Sequence, residues 1–316
     1  MAEPPLRLLF CGTPSFAVPS LRHLLAEPDC EVVAVITQPD RPRGRGREVS
    51  FSPVKEAALS AGIPVFQPEK IRTPESEKFL RQAHPEAIVI IAYGQIIPAR
   101  LLEIPRLGWV NLHASLLPRY RGAAPIQWAI ANGETVTGVT SMRIDAGMDT
   151  GDILLQRETS IGWKETTPEL AERLALLGAP LIAHTLRGLR EGTLGPKPQD
   201  HSARTMAPLL KKEDGVIRWQ QPAQVVYNRM RGFTPWPGAY SFFRGVTCHL
   251  AGEPVSNASS DAPGQIRYDG KELWVACGQQ SFFRVSHVKQ EGRKRVSAVE
   301  FANGARLEPG ERFGDA

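Results

Sequence analysis

Three side chains in the middle of the chain carry the chemistry of acyl transfer. Asn111 and His113 stand two residues apart, at the end of the apolar run Leu107-Gly-Trp-Val110. That run reads as a buried strand, and the spacing points both side chains to one face. Asp149 follows within Gly147-Met-Asp-Thr-Gly151-Asp152, an acid flanked by glycines on a turn. A neutral amide can hold a developing oxyanion, an imidazole can move a proton, and a carboxylate can orient that imidazole. An Asn-x-His pair at a strand end also serves as an ordinary hydrogen-bonded pair, so the spacing alone leaves both readings open.

These residues need a scaffold to bring them together. Residues 6–10 read as a buried strand, followed by a turn at Gly12 and an amphipathic stretch through Leu25. Strand, glycine turn and helix open a doubly wound, Rossmann-like α/β domain. A Gly-x-Gly-x-x-Gly is absent there, which argues against a dinucleotide site. Further strands are predicted at 31–36, 87–91, 108–111, 138–143 and 153–156. A long helix runs from Thr167, with Thr166 or Thr167 as cap and Pro168 in its first turn, to Leu189. A shorter helix covers 126–131 and stops at Gly133.

Residues 192–207, rich in Gly and Pro, read as a linker. Beyond them short β runs at 240–243, 246–250, 264–268, 273–277 and 282–286 alternate with Gly, Asp and Pro turns, the profile of a small barrel or sandwich. The aromatics Trp236, Tyr240 and Phe243 are expected in its core. The expected organisation is a catalytic domain over 1–191, the linker, and a β domain over 208–316.

Composition narrows the class. A chain of 316 residues favours about two domains. Its 42% hydrophobic content supports substantial cores. Cys11, Cys30, Cys248 and Cys277 show no Cys-x-x-Cys pairing, so neither a zinc site nor a disulfide framework is expected, and no metal. The start lacks a basic segment followed by an apolar one, and no run of about 18 apolar residues offers a membrane span. A cytoplasmic protein without a membrane partner is expected, and nothing in the chain demands more than a monomer.

The formal net charge of +5 lies wholly in residues 196–316, where 17 Lys and Arg face 12 Asp and Glu. A basic half raises the odds of a polyanionic partner. Lys211, Lys212, Arg293, Lys294 and Arg295 are its candidate phosphate contacts. Arg41, Arg43, Arg45 and Arg47, interleaved with Gly44 and Gly46, form a second basic stretch. Their spacing suits neither helix nor packed strand, so an exposed loop is expected. Guanidinium groups bind phosphate in bidentate fashion, and glycine lets backbones approach closely.

The segment around the Asn-x-His pair is long enough to be compared with known families. Asn111-Leu-His113-Ala-Ser115-Leu116-Leu117-Pro118, then Arg121-Gly122 and Pro125, then Asp149-Thr-Gly151, resemble in order the pattern of the formyltransferases that use 10-formyltetrahydrofolate. The resemblance implies catalytic roles for Asn111, His113 and Asp149, and a folate site beside Ser115, Leu116, Leu117 and Pro118. The arginine stretch, followed by Ser52-Pro-Val-Lys55, resembles a basic insertion in the family branch that acts on methionyl-tRNA, with Arg45 at its main tRNA contact. Arg231-Gly-Phe-Thr-Pro235-Trp-Pro-Gly238 and the end of the chain near Gly304 to Gly310 look like that branch's OB-like, tRNA-holding β-barrel domain. Arg218 stands where those relatives commonly carry an acid before Trp219. Initiator methionyl-tRNA is therefore the implied partner.

Three other functions compete. A formyltransferase acting on a sugar nucleotide or on glycinamide ribonucleotide would share the Asn, His and Asp. A serine hydrolase would need an exposed nucleophile, yet no Gly-x-Ser-x-Gly occurs. A non-catalytic RNA-binding protein would explain the basic half but not the complete site pattern.

Overall fold

The computed structural model describes residues 4–43, 48–258 and 260–314. It divides into two compact units. One contains residues 1–125, 136–160 and 171–208, and the other residues 126–135, 161–170 and 209–316.

The first unit is built on a seven-stranded sheet. In chain order, β1 (Leu6–Gly12), β2 (Cys30–Ile36), β5 (Val65–Phe66), β6 (Ala87–Ile91), β7 (Trp109–His113), β8 (Val136–Arg143) and β9 (Ile153–Ser160) form it. Their spatial order is β5-β2-β1-β6-β7-β8-β9. The strands from β5 to β7 are parallel, and β8 and β9 are added antiparallel. β1 and β6 read as unbroken apolar runs because parallel strands are covered on both faces; every residue of β6 is buried.

The connecting helices are α1 (Val18–Ala26), α2 (Pro53–Ser60), α3 (Pro74–Gln82), α4 (Ala99–Leu102) and the long α6 (Thr167–Glu191). Ser52 and Thr73 cap α2 and α3 by accepting from the N–H of Lys55 and Ser76 at 3.1 and 3.2 Å, with proline next in each case. The arginine stretch departs from the expected loop. Arg41–Arg43 (β3) pairs antiparallel with Glu48–Ser50 (β4), so the flanks close as a hairpin ribbon that neither flank's own pattern announces.

The second unit holds an antiparallel sheet in the order β10-β11-β14-β13-β12, made of β10 (Tyr240–Phe243), β11 (Val246–Ala258), β12 (Ile266–Tyr268), β13 (Leu273–Cys277) and β14 (Ser281–Gln290). β15 (Val296–Ser297) also pairs with β14. The end of the chain joins the two edge strands. Gly314 bridges Phe242 on β10, and Arg312 bridges Gln265 beside β12. That closure makes the sheet a barrel and removes its open edges. Trp219, Phe243, Phe283, Phe301 and Phe313 fill it, with Phe301 and Phe313 stacked 6.0 Å apart.

Three helices complete the unit: the greater part of α5 (Pro125–Ala131), α7 (Ala223–Gly232) and α8 (Ala298–Ala305). The last two were not expected. α8 carries a full capping box, Ser297 with Glu300, which is a readable signature. Tyr240 and Phe243 are buried as expected, but Trp236 is 55% exposed. It lies in the turn between α7 and β10, where prolines on both sides stop the backbone from continuing either element.

Candidate active site

β7 positions the amide and the imidazole. The Trp109 indole N–H donates to the Leu101 carbonyl at 2.8 Å and pins the start of the strand. Leu112 faces α6, where a Cβ on Gly178 would lie 2.3 Å from its Cδ2. Asn111 and His113 therefore share the opposite face. His113 is buried and Asn111 half-buried. Among the described residues no side-chain or backbone group holds the Asn111 amide.

The imidazole is fixed by two contacts. Its Nε2 lies 2.9 Å from the Tyr120 carbonyl oxygen, which can only accept, so Nε2 carries a proton. Nδ1 faces the Asp149 carboxylate at 3.7 Å, too far for a direct hydrogen bond and near enough for a charge contact. The Asp149 Oδ2 accepts from the Gly122 N–H at 2.9 Å. The motif after β7 thus supplies two backbone groups that hold this pair: Tyr120 C=O for His113 and Gly122 N–H for Asp149.

Asp149 sits at φ 53°, a left-handed conformation that costs a non-glycine residue about 1 kcal/mol. The turn between β8 and β9 holds it there. Asp145 Oδ1 accepts from the Gly147 N–H at 3.0 Å and the Thr150 hydroxyl at 2.8 Å. Gly151 passes so close to β8 that a Cβ would fall 2.0 Å from the Arg143 carbonyl. The glycine two residues after the acid is required by this packing.

The Ser115 to Pro118 segment follows β7 with a cis Leu117–Pro118 peptide. Most of its polar groups are engaged internally. The Ser115 hydroxyl donates to the Arg119 carbonyl at 2.6 Å, and the Ser115 carbonyl accepts from the Thr140 hydroxyl at 2.6 Å. Leu117 donates its N–H to Thr140 Oγ1 at 3.1 Å and accepts from Gln156 Nε2 at 3.0 Å. Ser115 and Leu117 are buried, while Leu116 and Pro118 are half-exposed.

The stretch expected as a linker reaches into this region. Lys197 exchanges two 2.8 Å hydrogen bonds with Ile153, Thr205 Oγ1 accepts from the Tyr120 N–H at 2.8 Å, and Ala207 donates to the Arg121 carbonyl at 2.7 Å. Arg121 is 2% exposed and its guanidinium binds Gln199 and His201. No local pattern reveals these partners, because about 80 residues separate them along the chain.

A cavity of about 980 Å³ opens at the C-terminal ends of β1, β2 and β6, where an open α/β sheet binds ligands. Thr13, Gln38, Arg41, Tyr93, Gln95 and Ile96 are among its walls. Asn111, His113 and Asp149 are not. They stand one strand over, on β7 and the β8–β9 turn. The carboxyl of Asp40, on the cavity wall, is held below the usual range by its hydrogen bond to Lys55.

The basic residues fall into two groups. Arg41 is exposed, 4.0 Å from Glu69. Arg43 contributes backbone pairing to the ribbon, and Arg45 and Arg47 lie outside the described residues. In the second unit Lys211, Lys212, Arg293, Lys294 and Arg295 are all exposed. None of them is in an ion pair among the described residues, whereas Arg244, Arg267 and Arg284 each hold a carboxylate. A second cavity of about 370 Å³ brings Lys212 and Lys289 to the exposed Trp236. His249, in its wall, has its pKa lowered by burial and by the charges of Lys289 and Lys212. Arg218 is exposed.

Among the described residues no helix is long and apolar enough to cross a membrane, and no group of three or more His, Cys, Asp and Glu could hold a metal. Residues 6–186 match the family described as formyl transferase, and residues 209–306 match formyl transferase, C-terminal domain. The chain belongs to the formyl transferase family. A methionyl-tRNA formyltransferase of Solibacter usitatus is 54% identical over 98% of this chain and 99% of its own length. One from Geobacter metallireducens is 51% identical, with the same two coverages. A solved sugar 3N-formyl transferase, WlaRD, in the presence of dTDP and 5-N-formyl-THF, shares the fold with a TM-score of 0.65. It is 18% identical, over 92% of this chain and all of that one.

Proposed function

We propose that this chain transfers the formyl group of 10-formyltetrahydrofolate to the α-amine of methionine on initiator methionyl-tRNA. The observation that carries the reading is the unpartnered Asn111 amide beside the backbone-fixed His113–Asp149 pair, in a chain about half identical to enzymes named for this reaction.

The amine nitrogen attacks the formyl carbon in its neutral form, which a reference pKa near 8 makes partly available at neutral pH. A C–N bond forms and charge builds on the formyl oxygen. The Asn111 N–H donates to that oxygen, with His113 beside it on the same face. Asp149 orients His113 and holds the water through which the amine proton leaves. The bond from carbon to the folate N10 then breaks as that nitrogen takes up the proton, giving formylmethionyl-tRNA and tetrahydrofolate.

The folate lies along Leu116 and Pro118. Those half-exposed side chains, with Met148, 66% exposed next to Asp149 in the chain, provide apolar cover. Because Ser115 and Leu117 bond internally, this segment supports the ring by shape more than by polar contact. The aminoacylated end of the tRNA enters the cavity whose rim includes Arg41, the first residue of the arginine stretch. Arg41, Arg43, Arg45 and Arg47 contact its phosphates, and Lys211, Lys212, Arg293, Lys294 and Arg295 extend the footprint, with Trp236 offering a face on which a base can stack. The protein works as a cytoplasmic monomer.

Two substitutions separate the roles. Arg45→Ala should raise the KM for methionyl-tRNA while leaving that for the folate unchanged. Trp236→Ala should do likewise, and Trp236→Phe should restore most of the loss. A folate defect with normal tRNA kinetics in Arg45→Ala would contradict the assignment of the basic loop.

A further inference from the structure

Gln199 lies in the stretch that reads as a linker, yet it is 95% buried. Its amide is used completely. Nε2 donates to the carbonyls of Asp149 at 2.9 Å and Gly151 at 2.7 Å. Oε1 accepts from Arg121 Nε at 3.0 Å and Nη2 at 2.6 Å. Arg121 is a buried cation that pairs with no carboxylate among the described residues. Its partners are Gln199 and His201 Nδ1, the latter at 3.2 Å. The next residue, Gly122, donates its N–H to the Asp149 carboxylate.

Asp149 is thus gripped from two sides that Gln199 and Arg121 tie together. Its carboxylate is held by Gly122 and its backbone carbonyl by Gln199, around a residue in a left-handed conformation. Among the described residues no other buried side chain bonds both carbonyls of the Asp149 turn, and the Gly122 N–H belongs to the peptide whose carbonyl, that of Arg121, accepts from the Ala207 N–H at 2.7 Å.

We infer that Gln199 is a positioning residue for the formyl transfer, acting with Arg121 to hold the Asp149 turn at the His113 imidazole. This rests on the proposed roles of His113 and Asp149. A polarised amide donor is stronger than a free one, because Arg121 withdraws charge from Oε1 and makes the N–H groups better donors to the two carbonyls.

Gln199→Glu separates positioning from folding. It keeps an oxygen for Arg121, now in a charge pair, and removes both N–H donors, setting a carboxylate against two carbonyl oxygens. Gln199→Met keeps the volume and removes every hydrogen bond. In each folded variant kcat should fall about 10- to 100-fold, while the KM values for both substrates change less than about twofold. Hydrogen exchange at the Gly122 N–H should accelerate in both. In an Asp149→Asn background, single-turnover rates should show no further loss on adding Gln199→Glu, because both changes act through one element.

Unchanged kcat in either variant, or the same fractional loss with and without Asp149→Asn, would overturn the inference. So would unaltered protection of Gly122, a readout that needs no substrate and stands even if the natural acceptor proves to be another amine. Wild-type protein that formylates no acceptor would instead overturn the functional reading and leave the Gly122 result to decide the clamp.

Discussion

At the scale of the residue, the proposed mechanism depends on what is left unbonded as much as on what is bonded. The His113 ring is committed through Nε2 to Tyr120, and Asp149 to Gly122, while the Asn111 amide is open. Asn111→Ala should cost about 10²- to 10³-fold in kcat, the usual loss for one oxyanion donor, with the dissociation constant for methionyl-tRNA unchanged in filter binding. Equal losses of rate and affinity would mean that Asn111 serves binding. The pairing of Asn111 and His113 on one strand face was legible from spacing alone, and Asp149 from its flanking glycines. Tyr120 was not legible, because its role is a backbone carbonyl. Gln199 was not, because its partners lie far away in sequence and its neighbours are the Gly and Pro that mark loops.

At the scale of the element, the β8–β9 turn has the least tolerance. Gly151→Ala places a Cβ on the Arg143 carbonyl, so the hairpin must open where it carries Asp149. We expect a stability loss of about 1–3 kcal/mol in denaturant unfolding, as for other overpacked sites, and a larger fall in kcat than that destabilisation explains. Full activity in Gly151→Ala would show that the turn relaxes without moving Asp149. The parallel strands were readable because burial on both faces leaves continuous apolar runs. The arginine ribbon was missed because its two short flanks have no periodicity of their own, and α7 because no cap marks its start.

At the scale of the whole molecule, the cysteines are packing residues. Burial raises the Cys248 and Cys277 thiols to about 11 and 12, and Cys11 higher still. Cys30, half-buried, is pushed up to about 11 by burial and by the carboxylates of Asp29 and Glu27. The thiolate is the reactive form. Native protein at pH 7.5 should therefore react slowly with a thiol-specific disulfide reagent, and unfolded protein should titrate four thiols at once. A rapid native burst would contradict the burial. The unpaired basic side chains give a second prediction, namely that affinity for tRNA falls steeply with salt while affinity for the folate does not. Charge placement in the sequence marked these exposed basic residues, but the exposure of Trp236 beside Lys212 and Lys289 depends on a turn whose course the residue types did not reveal.

The most direct test of the account offers the protein radiolabelled 10-formyltetrahydrofolate with methionyl initiator tRNA, methionyl elongator tRNA and an amino-sugar nucleotide in parallel. Label transferred to the methionyl initiator tRNA, with Asn111→Ala and Gln199→Glu lowering its rate, is the predicted result. Label on the amino sugar alone would contradict it, keeping the Asn111, His113 and Asp149 site but removing tRNA as the partner of every basic residue described.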